Sequence, residues 1–283
     1  MELNSYIARH SGDEVIVYKT VGEEKLACSI YYPPAYQREQ TYKTLFLIHG
    51  GGWRGRKIFE DQTEWSGDYL GYLARYYADG GYVCISVDYR MAQEDAQKAG
   101  DQLWDLYEDC KEAVDYILNQ KDRYGIDMNH VSILGESAGG HLAGLVATKY
   151  QRSGFAFERA YLVNPITYLN DDAEWGKRIP KRPTHEELAN LTEKERGETL
   201  SPLYQIGEDT CPVVLIHGTD DTVVNPNHTR KFYERMKQLS LSCEMYFIEG
   251  ANHAFLLAEY TDNLPACKKA IEILNHYLFE KRV

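Results

Sequence analysis

Val131-Ser132-Ile133-Leu134-Gly135-Glu136-Ser137-Ala138-Gly139-Gly140-His141 is the stretch on which the fold turns. An apolar run of this kind reads as a strand buried on both faces. It meets Gly-Glu-Ser-Ala-Gly, and a helical stretch, Ala138 to Gln151, follows at once. The pattern is G-x-S-x-G between a strand and a helix, where a serine stands at the apex of a sharp turn. Gly135 and Gly139 have no Cβ, so the chain can close that tightly. The turn forces Ser137 into a strained backbone conformation and lifts its hydroxyl above the sheet edge. The helix aims its N-terminus at the same place, which favours developing negative charge. Ser137 is therefore the candidate nucleophile.

Upstream, Leu45-Phe46-Leu47-Ile48-His49-Gly50-Gly51-Gly52-Trp53 is a second buried strand, ending in His-Gly-Gly-Gly. Glycines there let backbone N–H groups turn inward toward a substrate oxygen. The expected oxyanion hole is formed by the amides of Gly51, Gly52 and Ala138, the residue after the nucleophile. His49 reads as a brace for this loop, and Trp53 as a residue lining the substrate pocket. Downstream, Val213-Val214-Leu215-Ile216-His217-Gly218-Thr219-Asp220-Asp221 is a strand running into a turn with two carboxylates. One of them should orient a histidine and stabilise its cation. The spacing from His-Gly to the following Val-Val favours Asp221; Asp220 is the alternative and otherwise a turn residue. Finally Phe247-Ile248-Glu249-Gly250-Ala251-Asn252-His253 ends a last strand and places a histidine in the loop beyond. His253 is the candidate general base and acid. The four motifs all fall at carboxyl ends of expected strands, so they converge on one edge of a sheet.

The whole chain alternates between short apolar runs and helical patterns. Strands are expected at Glu14–Val21, Leu26–Tyr32, Thr44–His49, Tyr82–Val87, Val131–Gly135, Ala160–Asn164, Val213–His217 and Glu244–Ile248. Helices are expected at Thr63–Ala78, Leu103–Arg123, Ala138–Gln151, Asn227–Leu239 and Asn263–Phe279, with Tyr124-Gly125 as a stop. The first two strands read as an antiparallel hairpin across Val21-Gly22-Glu23. The fold class is α/β: a mostly parallel eight-stranded sheet with helices on both faces. Residues 169–203 break the rhythm with charges and prolines. They read as a cap-like insertion of loops and a short helix over the active site, within a single domain spanning 1–283.

Composition narrows the function classes. The net charge of −12 argues against nucleic acid and against an anionic membrane surface. Cys28, Cys84, Cys110, Cys211, Cys243 and Cys267 form no zinc-like spacing and read as reduced, mostly buried thiols, so no metal is expected. The N-terminus MELNSYIARHSGDE has no leader pattern and no run is long enough to span a bilayer, so cytoplasmic residence is expected. The 23 tyrosines supply amphipathic rings suited to sugar or aryl contacts.

The His49–Trp53 loop, Asp88-Tyr89-Arg90, the Gly135–Gly140 turn and the Asp221-to-His253 pair together resemble the hormone-sensitive-lipase-like and bacterial feruloyl and acetyl-xylan-esterase-like branch of the α/β-hydrolases. The resemblance runs from about Leu45 to His253. It implies hydrolysis of short-chain esters of a small molecule or an oligosaccharide, with no cofactor. Acetyl and feruloyl groups on carbohydrates are the favoured substrates. Asp88-Tyr89-Arg90 is structural in that family. Asn225 departs from it, standing where relatives often carry proline. An arylformamidase, amidase or exopeptidase would use the same three side chains, and a catalytically silent ligand-binding protein would share the fold.

Overall fold

The computed structural model describes residues 12–53, 70–92, 96–150, 152–170, 172–181, 183, 185–257 and 264–279. Eight strands form one sheet: β1 (Glu14–Val21), β2 (Glu24–Tyr31), β3 (Tyr42–Ile48), β4 (Val83–Val87), β5 (Ile126–Glu136), β6 (Arg159–Val163), β7 (Val213–Gly218) and β8 (Cys243–Ile248). Their spatial order is β1-β2-β4-β3-β5-β6-β7-β8. Only β2 runs against the rest, pairing antiparallel with both β1 and β4. The remaining pairs from β4 through β3 to β8 are parallel. The β1–β2 hairpin closes from Val21 to Glu24, with Gly22 at φ 60° supplying the left-handed turn.

The helices are α1 (Gly71–Asp79), α2 (Ala96–Asn119), α3 (Lys121–Tyr124), α4 (Ala138–Lys149), α5 (Glu186–Ala189), α6 (Glu193–Thr199), α7 (Asn227–Gln238) and α8 (Leu264–Phe279). They lie in two layers because each buried strand offers apolar side chains alternately to both faces. Phe46, Ile48, Ile133, Leu162 and Leu215 face α2, α4 and α7. Leu45, Leu47, Leu134, Val163 and Ile216 face α1 and α8. Each such side chain, fully removed from water, contributes about 1.5–3 kcal/mol over an exposed one. All six cysteines are buried free thiols within these layers or at their margins.

Two boundaries differ most from those the sequence suggests. β5 begins at Ile126 rather than Val131, because its first half is half-exposed and carries Asp127, Asn129 and His130, which mask a strand in an apolar-run reading. It still pairs with β3, Tyr42 opposite Ile126 and Thr44 opposite Val131, so the extra residues of the irregularity between those pairs lie on β5. The long helix expected over Leu103–Arg123 starts at Ala96 and breaks near Gln120 into α2 and α3. Gly125, at φ 61°, then ends α3, and a Cβ there would meet the carbonyl of Gln40 at 2.6 Å. Of the expected helices, 63–69 of Thr63–Ala78, Gln151 of Ala138–Gln151 and Asn263 of Asn263–Phe279 lie outside the described residues.

The segment after β6 holds two short helices, α5 and α6, and single turns of 3-10 helix at Trp175–Arg178 and Pro202–Gln205. A capping box starts α6: Thr192 accepts from the Glu195 amide, and the Glu195 carboxylate accepts from the Thr192 amide. Asp171, Arg182 and Thr184 of this segment lie outside the described residues.

Candidate active site

β5 ends at Glu136 and α4 begins at Ala138, leaving Ser137 alone at the turn with φ 56° and ψ −120°. That conformation is strained for a residue with a Cβ. The structure holds it from both sides. The Ser137 amide donates to the Val163 carbonyl on β6 at 2.8 Å, and the Ser137 carbonyl accepts from the His141 amide at 2.9 Å. The flanking glycines are needed for space. A Cβ on Gly135 would lie 2.2 Å from the Gly139 carbonyl oxygen, and one on Gly140 would lie 3.1 Å from Pro165.

Three side chains from three strand ends meet here. The Ser137 hydroxyl lies 2.8 Å from His253 Nε2 and His253 Nδ1 lies 2.6 Å from Asp221 Oδ2. The other Asp221 oxygen accepts from the amides of Val223 (2.9 Å) and Val224 (2.8 Å). Burial disfavours the charged form of Asp221, but hydrogen bonds from His217 and His253 outweigh it and hold the carboxyl well below the usual carboxylate range. A carboxylate of that kind fixes the imidazole with Nδ1 protonated and Nε2 free to accept from the serine. Asp220 is exposed and takes the turn position instead, its carboxylate accepting from the Thr219 hydroxyl.

The loops carrying Asp221 and His253 are pinned to each other. The amide of Asp220 donates to Ala251, that of Thr219 donates to Ile248, and that of Gly250 donates to the Thr219 hydroxyl. Gly218 is seated so closely that a Cβ would approach the Ala251 carbonyl to 2.2 Å. Buried Glu136, beside the serine, accepts from the Leu256 amide at 3.1 Å. Tyr72 donates to the Leu256 carbonyl at 2.7 Å, so the chain just past His253 is held on both its polar groups.

The glycine loop after β3 turns through consecutive positive φ angles: 101° at Gly51, 62° at Gly52 and 64° at Trp53. Glycine adopts these freely; tryptophan does not, and its backbone is tied by the Ala92 amide donating to the Trp53 carbonyl. His49 braces the loop. Its Nδ1 donates to the Gly50 carbonyl at 2.8 Å, and its ring stacks on Tyr89 at 4.3 Å. The Tyr89 hydroxyl donates to the His49 carbonyl at 2.7 Å. Arg90, next in the chain, makes a paired contact with buried Asp109 at 2.7 and 2.9 Å. Asp88-Tyr89-Arg90 thus supports the loop from beneath. Trp53 is 1% exposed; its ring meets His141 edge-on at 5.2 Å and Trp175 at 5.4 Å, as a packing element.

Trp175 belongs to the segment after β6, so that segment reaches the glycine loop. It is anchored at two more places. His141 on α4 donates from Nε2 to the Leu200 carbonyl at 2.7 Å. His228 on α7 faces Asp172 at 3.3 Å and accepts the Thr167 amide at Nδ1. Burial pushes both imidazoles down to about 4. Two further groups lie near the site, and of these only Asn164 stands outside the sequence motifs. Asn164, at φ 43° past β6, accepts the Gly218 amide at its side-chain oxygen (3.1 Å), and His217 approaches Asp221 to 3.2 Å. An Asn-Pro pair directly after a buried strand is the one local hint for Asn164. Among the described residues, no group of three or more His, Cys, Asp or Glu side chains is arranged to hold a metal ion. Among them, too, no helix is long and apolar enough to cross a membrane.

Sheet order, elbow and converging side chains define an α/β-hydrolase. Within it, the chain belongs to the BD-FAE family, which matches residues 28–236. It is 27% identical over 247 residues to esterase LipC of Mycobacterium tuberculosis, covering 82% of this chain and 57% of LipC. It is 32% identical over 142 residues to bovine arylacetamide deacetylase, covering 48% of this chain and 32% of that protein. The chain thus spans little more than half of LipC and a third of the deacetylase. Among solved structures, propionate-bound esterase 2 of Thermogutta terrifontis superposes with a TM-score of 0.74 at 26% identity, covering 95% of this chain and 94% of the other.

Proposed function

We propose that the protein is a serine carboxylesterase that cleaves short-chain acyl esters of small molecules or oligosaccharides, acetyl and feruloyl esters of carbohydrates among them. The observation that carries this reading is the continuous hydrogen-bonded line from Ser137 through His253 to Asp221, at 2.8 and 2.6 Å. His253 Nε2 takes the proton as Ser137 Oγ attacks the ester carbonyl, and Asp221 stabilises the imidazolium that results. The amides of Gly51, Gly52 and Ala138 receive the oxyanion. His253 returns the proton to the leaving alcohol, an acyl-enzyme remains on Ser137, and a water activated by His253 releases the acid. No step calls for a metal or an organic cofactor. The bound propionate of the Thermogutta esterase supports a short acyl group.

A second reading is hydrolysis of an aryl amide by the same three residues, favoured by the likeness to arylacetamide deacetylase. The test is a panel of p-nitrophenyl esters of rising chain length, acetylated xylo-oligosaccharides, methyl ferulate, N-formylkynurenine and aryl anilides, run beside Ser137→Ala. Ester turnover that falls about 10⁴-fold or more in the variant supports the proposal. Turnover of anilides alone transfers it to the amide reading. Full-speed ester hydrolysis by Ser137→Ala removes the serine from the mechanism.

A further inference from the structure

Asp221 does not serve His253 alone. His217, the penultimate residue of β7, is fully buried, and its Nε2 lies 3.2 Å from Asp221 Oδ2, the oxygen that also faces His253 Nδ1. The same Nε2 is 2.9 Å from the Val224 carbonyl. A carbonyl only accepts, so Nε2 carries a hydrogen, directed between that carbonyl and the carboxylate. On the far side of the ring, Nδ1 lies 2.7 Å from the Thr229 hydroxyl at the start of α7. In the neutral ring that hydroxyl donates. The line Ser137–His253–Asp221 therefore continues through a second imidazole to a second hydroxyl.

We propose that His217, backed by Thr229, is a positioning residue that sets how basic His253 is, by taking a share of the carboxylate oxygen that both imidazoles face. This rests on His253 acting as the base for Ser137. A donor on Oδ2 draws electron density from it and weakens its hold on an imidazolium at His253. His253 then stays neutral, and able to accept the serine proton, to lower pH. The titratable and charged groups around His217 are Asp221 in the turn, His253 beyond it, and His228 on α7, which is itself flanked by Asp172 and Lys231. Arg230 of the same helix lies over the Phe247 ring, whose centroid is 6.5 Å from that of the His217 ring.

His217→Leu removes the donor while keeping apolar bulk; His217→Gln returns an N–H near the position of Nε2. Two measurements on the full chain separate the outcomes: the pH profile of kcat/KM for p-nitrophenyl acetate, and NMR titration of the His253 ring. In His217→Leu, the acid limb and the His253 titration both move upward by roughly half to one pH unit, with KM unchanged. His217→Gln restores both. Thr229→Val shifts them the same way by less, and serves if His217→Leu does not fold. Unmoved His253 titration in His217→Leu, or in Thr229→Val if the first does not fold, overturns the proposal even if kcat falls. The NMR readout needs no turnover, so absence of esterase activity with a shifted His253 would sink the esterase reading and leave this one standing.

Discussion

The Cβ that Gly139 lacks would lie 2.1 Å from the carbonyl oxygen of Ile48 and 2.3 Å from that of His49. The first turn of α4 is therefore seated on the end of β3, and the serine turn and the glycine loop share one backbone contact. Gly139→Ala must push the two apart. Overpacking of this kind costs about 1–3 kcal/mol, and displacing a reacting group by an ångström costs on the order of 10²-fold in rate. Gly139→Ala is expected to lose both thermal stability and kcat/KM for p-nitrophenyl acetate. Gly207→Ala is the control: a Cβ there has nothing within 4 Å, and both quantities should stay near wild type.

Tyr89 bears on the same loop from below. Its hydroxyl is fully buried and donates to the His49 carbonyl, leading directly into Gly50, Gly51 and Gly52. Tyr89→Phe keeps the stack on the His49 ring and removes only that donor. The expected loss is about 1 kcal/mol by urea unfolding. If Gly51 and Gly52 receive the oxyanion, kcat falls more than KM rises. A variant with wild-type kcat would separate the brace from the chemistry.

Acid should loosen the segment after β6 before it reaches the sheet. His141 already donates from Nε2, and its buried Nδ1 has no hydrogen-bond partner among the described residues. His228 already accepts at Nδ1, so protonation there breaks the bond from Thr167. Both rings are held down to about 4 from an ordinary 6.5. A depressed folded value means that the unfolded chain binds more protons between those limits. Stability from this source is complete above pH 6.5 and is lost as pH falls toward 4. The melting temperature should drop across that window, and His141→Gln, which keeps a donor for Leu200 but cannot titrate, should flatten the slope. An unchanged slope would remove His141 as a source.

The strands were legible because runs such as Leu45–Ile48 and Val213–Ile216 are buried on both faces and carry almost no polar residue. The first half of β5 was hidden by Asp127, Asn129 and His130, which face outward. Ser137 and Asp221 were legible because each follows such a strand with a turn, and His253 because it stands in the loop after the last strand, although β8 is only partly buried. The contact of Asn164 was not, since it depends on which strands lie side by side: β6 beside β7 brings Asn164 to Gly218. Chain spacing holds no record of that neighbour. Trp53 looked like a pocket residue from its place after the glycines, but its burial comes in part from Trp175, well over a hundred residues away. Packing of that kind is a product of the insertion's path, which charge and proline content alone do not specify.

Asn164 links the serine strand's neighbour to the turn that carries Asp221. Its amide donates to the Ile216 carbonyl, its side-chain oxygen accepts the Gly218 amide, and its backbone sits at φ 43°. Asparagine tolerates that region better than other residues with a Cβ. Asn164→Gly relaxes the backbone but strands the buried Gly218 N–H; Asn164→Ala does the same and adds left-handed strain. An unpaired buried donor costs about 1–3 kcal/mol, and the strain adds about 1 kcal/mol. In urea unfolding the order of stability should be wild type, then Asn164→Gly, then Asn164→Ala. Gly218 lies three residues before Asp221, so freeing its N–H lets the carboxylate drift from His253. Both variants should therefore lose kcat to a similar extent, although they differ in stability. If kcat instead tracks stability, backbone strain and not the Gly218 hydrogen bond is what Asn164 contributes.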